Sequence, residues 1–171
     1  MQAGKMRLYL EEIDFNSRVK GGSCLDGYPY VLEQKVTWRD LDAWGHVNNA
    51  VYATYVENGR LGYLEQALGP LTGTAGPEIT KPGRWGLILA ELNITYRSPA
   101  YLSETLLIGV RIPEIRNSSF IIDTRIEEKT TGRLVATSRA VMVHYDYTEK
   151  KPVPVPQEWR EALALFEGAA F

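Results

Sequence analysis

Apolar residues repeat at helical spacing near the middle of the chain and alternate with polar ones through its second half. Between Ala50 and Leu68 the positions Tyr52, Tyr55, Val56, Gly59, Tyr63, Leu64 and Ala67 recur at intervals of three and four, the spacing of one helix face. This predicts a helix of about 19 residues, roughly 28 Å long, stopped by Gly69-Pro70. Gly59 and Gly62 each lower helix propensity by about 1 kcal/mol, a cost suited to a helix lying close on a sheet. Strands are expected over Tyr28–Trp38, Trp85–Arg97, Leu102–Ile115, Phe120–Glu128 and Leu134–Tyr145. The last four are separated by the turn signals Ser98-Pro99, Arg116-Asn117-Ser118 and Thr130-Thr131-Gly132. Residues 16–28 and 69–84 read as loops, Met6–Leu10 as a short edge strand. A Pro-rich exit (Pro152, Pro154, Pro156) leads to a last helix, Gln157–Phe166.

The order is strand, long helix, then a meander of long strands. Connections this short suit antiparallel pairing better than parallel crossovers. The plan is α+β, and a twisted sheet of this size curls around one apolar helix.

Composition narrows the classes of function. With 171 residues, 44% hydrophobic and 23% charged, the chain has the make-up of one soluble domain with a sizeable core. A net charge of −2 without a basic block argues against nucleic-acid binding. No apolar run is long enough to span a membrane. Met1–Leu10 lacks the apolar stretch of a secretory signal. The only cysteine, Cys24, cannot form an intrachain disulfide. A cytoplasmic protein is expected.

The candidate chemistry sits where the first loop meets the long helix. Asp40, Asp42, His46, Asn48 and Asn49 surround a glycine turn at Gly45. A helix N-terminus offers free N–H groups and a positive dipole to a reacting carbonyl. Asp42 either supplies a reacting carboxylate or caps a turn. Asp40, two residues back, is expected to hold a loop N–H or Arg39. His46 acts as acid or base, or only hydrogen-bonds within the loop. Asn48 or Asn49 is the expected helix cap. Glu57 and Arg60, three apart, read as an intrahelical pair, and Tyr52, Tyr55 and Tyr63 as core. No metal site is expected, since His144 is the only other histidine and stands far from His46 in sequence. Neither Ser103 nor Ser118 has a His and Asp arranged beside it for a Ser-His-Asp hydrolase.

The run Asp40-Leu41-Asp42-Ala43-Trp44-Gly45-His46-Val47-Asn48-Asn49, followed by Tyr52, Glu57 and Arg60, resembles the signature of hotdog-fold acyl-CoA thioesterases, in particular the 4-hydroxybenzoyl-CoA thioesterase-like branch. Plant acyl-carrier-protein thioesterases share a similar run. The resemblance covers about residues 33–166 and takes in Tyr96-Arg97-Ser98-Pro99, Arg116-Asn117-Ser118-Ser119-Phe120 and Pro154-Val155-Pro156. It implies a hotdog fold, a long central helix wrapped by a curved antiparallel sheet of five or six strands. Residues 31–171 would form that single domain, and 1–30 an N-terminal extension of unassigned role.

The resemblance further implies hydrolysis of an acyl-CoA or acyl-carrier thioester without a cofactor. Asp42 would be nucleophile or general base, with the Asn49 N–H polarising the carbonyl. Gly45, Val47, Arg116, Ser118 and Ser119 would contact substrate. Relatives pair their sheets edge to edge, so a homodimer or homotetramer is expected. Two rivals stand beside this reading: a hydratase or dehydratase of enoyl thioesters, which loss of enoyl absorbance would reveal, and a non-catalytic acyl-CoA binding module, which would bind without turnover.

Overall fold

The computed structural model describes residues 25–72 and 86–171. The predicted strand at Met6–Leu10, and most of the predicted loops at 16–28 and 69–84, lie outside them. Strand β1 (Tyr30–Lys35) leads through a short 3-10 turn (Trp38–Asp40) to helix α1 (Asn49–Thr72). Strands β2 (Leu87–Tyr96), β3 (Thr105–Ile115), β4 (Ser119–Glu128) and β5 (Leu134–Asp146) follow, then a two-residue strand β6 (Lys151–Pro152) and helix α2 (Gln157–Glu167). All pairings are antiparallel, in the order β1-β3-β4-β5-β2, with β6 on the end of β5. The α+β meander around one long helix is as expected.

Several boundaries differ. The first strand ends at Lys35 rather than Trp38, because Thr37 and Asp40 close a turn there. The long helix runs through Gly69 and Pro70 to Thr72. Proline has no N–H for the ladder, but its φ is close to the helical value. The last turn therefore continues with one bond missing. At the other end Asn48, not Asn49, is the cap: its Oδ1 accepts the Ala50 N–H at 2.9 Å.

In-facing side chains follow the pleat. Leu106, Ile108, Val110 and Ile112 of β3 and Phe120, Ile122 and Ile126 of β4 are fully buried with Ala136 and Ala140 of β5. Pro113 falls where the β3–β4 register slips between Arg111 and Glu114, a bulge being where a strand tolerates proline. The Ile112 N–H beside it donates to Glu167 Oε1 at 2.6 Å, and the Tyr63 hydroxyl donates to the same oxygen at 2.5 Å. Burial pushes the Glu167 carboxyl up, against the pull of these two donors. This contact seats the end of α2 on α1 and the sheet, with Phe166 edge-on to Tyr63 at 5.1 Å.

α1 lies close on β1 and β3. A Cβ at Gly59 would stand 2.9 Å from Ile108 Cγ2, and one at Gly62 would stand 2.0 Å from the Tyr30 hydroxyl oxygen. Gly62→Ala gains about 1 kcal/mol of helix propensity but overpacks the contact by about 1–3 kcal/mol. The net outcome expected in thermal or urea unfolding is a loss of up to about 2 kcal/mol, the balance of the same two terms.

Glu128 closes the β4–β5 turn, accepting the Thr130 N–H at 2.9 Å, the Thr131 N–H at 2.8 Å and the Thr131 hydroxyl at 2.7 Å. Burial opposes its ionisation, but these donors outweigh it and hold the carboxyl at about 2. A carboxyl with a lowered folded-state pKa stabilises above its unfolded value, about 4.3, and loses that contribution as pH falls through its folded value. The stability gap between wild type and Glu128→Gln in urea titrations is therefore expected to be full at neutral pH. It should close as pH falls from about 4 to about 2.

Candidate active site

The loop between β1 and α1 is built on Asp40. Its Oδ2 accepts both the N–H and the hydroxyl of Thr37, each at 2.7 Å, while its carbonyl accepts the Asn48 N–H at 2.8 Å. One buried residue thus ties the start of the loop to its end. Burial works against the charge, yet the Thr37 hydrogen bonds keep the carboxyl below the usual range. Asp40 serves as a holder of loop N–H groups, one of the two structural roles expected of it. Burial, and then the neighbouring Asp40 charge, push the Tyr55 phenol well up.

Within this frame residues 41–47 form a small hairpin. Leu41 bridges Val47, the Asp42 N–H donates to the His46 carbonyl at 3.0 Å, and the Gly45 N–H donates to the Asp42 carbonyl at 3.2 Å. Gly45 has φ +82°, a conformation open to glycine at little cost. The hairpin is tied to the β2–β3 connection, where the Val47 N–H donates to the Ala100 carbonyl at 2.9 Å and His46 bridges Tyr101.

Asp42 and His46 come together. Asp42 Oδ1 accepts the Trp44 N–H at 2.9 Å, which fixes the carboxylate plane. Oδ2 faces His46 Nδ1 at 3.3 Å, with the Asp42 side chain 14% exposed and that of His46 40% exposed. The carboxylate is sheltered while its partner reaches solvent, so a proton can pass between Asp42 and the outside through the imidazole. Trp38 and Trp44 stand out from this loop, both largely exposed.

Asn49 opens α1. Its N–H has no acceptor among the described residues, whereas the next N–H groups are taken by Asn48 Oδ1 and the Asn48 carbonyl. The Asn48 carbonyl belongs to the same peptide unit as the Asn49 N–H, and its bond to the Val51 N–H at 3.0 Å polarises that unit. The Asn49 carbonyl accepts the Tyr96 hydroxyl at 3.1 Å. Tyr96 comes from β2 at the edge of the sheet and packs edge-on against Tyr52 at 5.3 Å. Sequence reasoning placed Tyr96 at a strand end and gave it no part in the site.

The remaining candidates lie apart. Arg116, Ser118 and Ser119 occupy the β3–β4 turn, at the far end of the sheet, a distance of roughly the length of β4, about 30 Å. Glu114 grips the Arg116 guanidinium at 2.8 and 3.2 Å, and the Ser118 carbonyl accepts the His144 N–H. Glu57 pairs with Arg60 at 3.2 Å, about 12 Å along the helix from Asn49. His144 bonds the Pro154 carbonyl through Nδ1 at 2.8 Å and packs on Trp159, a structural role. A polar cleft between Asn93, Thr95, Thr137 and Arg139 opens on the sheet face away from α1 and carries no part of this loop. Among the described residues no cluster of His, Cys, Asp and Glu is placed to hold a metal. None of their helices is long and apolar enough to cross a membrane.

Comparison with known proteins places the chain in a family. Residues 36–163 match the model of the thioesterase-like superfamily. The chain is 30% identical over 129 residues to the long-chain acyl-CoA thioesterase FadM of Escherichia coli, covering 75% of this chain and 92% of that protein. It is 27% identical over 148 residues to the chloroplastic acyl-acyl carrier protein thioesterase ATL3 of Arabidopsis thaliana, covering 86% of this chain and 74% of the relative. Among solved structures, a Thermus thermophilus thioesterase complexed with coenzyme A and Zn superposes with a TM-score of 0.70 at 28% identity, over 84% of this chain and 98% of that one. The chain belongs to the thioesterase-like superfamily and is a hotdog-fold thioesterase.

Proposed function

We propose that this protein hydrolyses acyl thioesters of CoA or of an acyl-carrier protein at the junction of the Asp42 hairpin and α1. The observation that supports this most is the pairing of a sheltered carboxylate, Asp42, with an unclaimed N–H, Asn49, at the start of a long helix. A thioester carbonyl hydrogen-bonded to the Asn49 N–H would have its developing negative charge met by a preorganised donor. One such donor contributes about 3–4 kcal/mol to the barrier. Asp42 then acts in one of two ways. It attacks the carbonyl carbon, the C–S bond breaks, the thiolate leaves, and water cleaves the resulting mixed anhydride. Alternatively it takes a proton from water as the water attacks, and the same C–S bond breaks. In the second route His46 passes the proton taken up by Asp42 to the departing sulfur; in the first the thiolate takes its proton from solvent, and His46 takes one from the water that cleaves the anhydride. Gly45 leaves the turn bare of a side chain, and Val47 holds its place by backbone bonding.

A second copy of the chain completes the site in this reading. Among the described residues β2 is the last strand of the sheet, and an edge of ten residues left unpaired by them is a pairing template. Leu92 and Ile94 on its core face are half-buried and Leu89 is exposed. Antiparallel pairing of β2 with a second β2 would reverse the ends of the two sheets. The second copy's β3–β4 turn would then come to the side of this Asp42, where its Arg116, Ser118 and Ser119 would meet the carrier part of the substrate. The distance between the two groups within one chain supports a site shared between subunits.

Two measurements test this. Thiol release from a panel of short, long and aromatic acyl-CoAs is expected for the wild type, with Asp42→Asn lowering kcat by 10²-fold or more. Equal activity of the variant would remove Asp42 from the chemistry. Light scattering at micromolar concentration should give a dimer or a dimer of dimers, and a monomer would overturn the shared site.

A further inference from the structure

The middle of the sheet's core face carries two polar side chains. Thr124 on β4 and Ser138 on β5 are register partners. Thr124 stands between Ile122 and Ile126 on its strand, and Ser138 between Ala136 and Ala140 on the next, all four neighbours fully buried. Thr124 is 2% exposed and Ser138 8%. Neither hydroxyl has a hydrogen-bond partner among the described residues. Buried hydroxyls are as a rule satisfied, and an unmade bond costs stability that a valine or an alanine would not. Two such groups facing the same side on adjacent strands form one feature.

Their place relates them to the reacting centre. Tyr96, which holds the Asn49 carbonyl, is the register partner of Ala136, and Ile94 that of Ser138. The hydroxyl pair therefore lies one pleat repeat, about 7 Å along the strands, from the row of Tyr96. α1 rests on β1, β3 and β4. Gly62 meets Tyr30 of β1 and Gly59 meets Ile108 and Val110 of β3, so by helical rotation the flank carrying Val56 looks toward β4 and β5. An acyl group with its carbonyl at the Asn49 N–H would enter the strip between that flank and β5–β2 and pass Thr124 and Ser138.

We infer that Thr124 and Ser138 are specificity-determining residues that hydrogen-bond an oxygen on the acyl chain. The preferred substrate class is a thioester whose acyl chain bears a mid-chain hydroxyl or oxo group. Each hydroxyl can donate or accept, so either oxygen function satisfies them, and a plain alkyl chain leaves both bonds unmade. This inference rests on the proposed site at Asp42 and Asn49.

The test is kcat/KM for octanoyl-CoA and for its mid-chain hydroxy and oxo analogues, with wild type, Thr124→Val, Ser138→Ala and the double variant. Wild type is expected to prefer at least one oxygenated chain by tenfold or more, and the two analogues tell which oxygen function is read. The double variant should lose that preference while keeping or raising its melting temperature, and Thr124→Ser should retain the preference. Equal rates of wild type on all three thioesters would overturn the inference and leave the hydrolase reading standing. So would a preference undiminished in the double variant. Absence of turnover on every thioester would take away the proposed site and this inference with it. The wild-type comparison decides the matter even if a variant fails to fold.

Discussion

A side chain on residue 62 would collide with the Tyr30 ring, and one on residue 59 with Ile108 and Val110. The absence of both lets a helix of 24 residues lie directly against β1 and β3. The position of the helix on the sheet depends on that close approach. It sets the height at which the first turn of α1 meets the β1–α1 loop, and so where the Asn49 N–H points. It also lets Tyr63 reach Glu167, which seats α2. The propensity given up at two glycines is recovered in packing, since most helical stability in a folded protein comes from its buried face.

The loop before the helix is organised by a division of labour between two carboxylates two residues apart. Asp40 turns inward and spends its oxygen on Thr37 and its carbonyl on Asn48. Asp42 commits one oxygen to the Trp44 N–H and leaves the other beside His46. The first residue gives the loop its shape, and the second is left with an oxygen free of backbone donors. Glycine at position 45 makes the turn between Asp42 and His46 cheap, because the hairpin needs a positive φ there.

The sheet joins these parts to one another. Its edge strand sends Tyr96 to the helix start, its middle carries two unpaired hydroxyls, and its far end holds the Arg116 turn. A substrate with an acyl group and a long carrier arm needs contacts spread over such a length. A single chain presents them at opposite ends, and edge pairing of two copies would gather them.

Local pattern determined much of this protein. Helical spacing from Ala50 to Leu68 and strict alternation in β3 and β4 specify one long helix and an antiparallel meander, because each period has one backbone that can bury it. The density of polar groups between Asp40 and Asn49 marked the candidate site, since carboxylates, an imidazole and a helix start are legible as residue types in order. What followed from long-range contact was not legible. Gly69-Pro70 reads as a stop, yet the helix runs on to Thr72. The assignment of Asp40 to the loop depends on Thr37 and Asn48 meeting across it. Tyr96 lies 47 residues from Asn49 in sequence, and only strand order brings its hydroxyl there. Thr124 and Ser138 read as ordinary members of two strands. Their meaning comes from register, which places two buried hydroxyls side by side with nothing to bond, a fact that exists only once the sheet has formed.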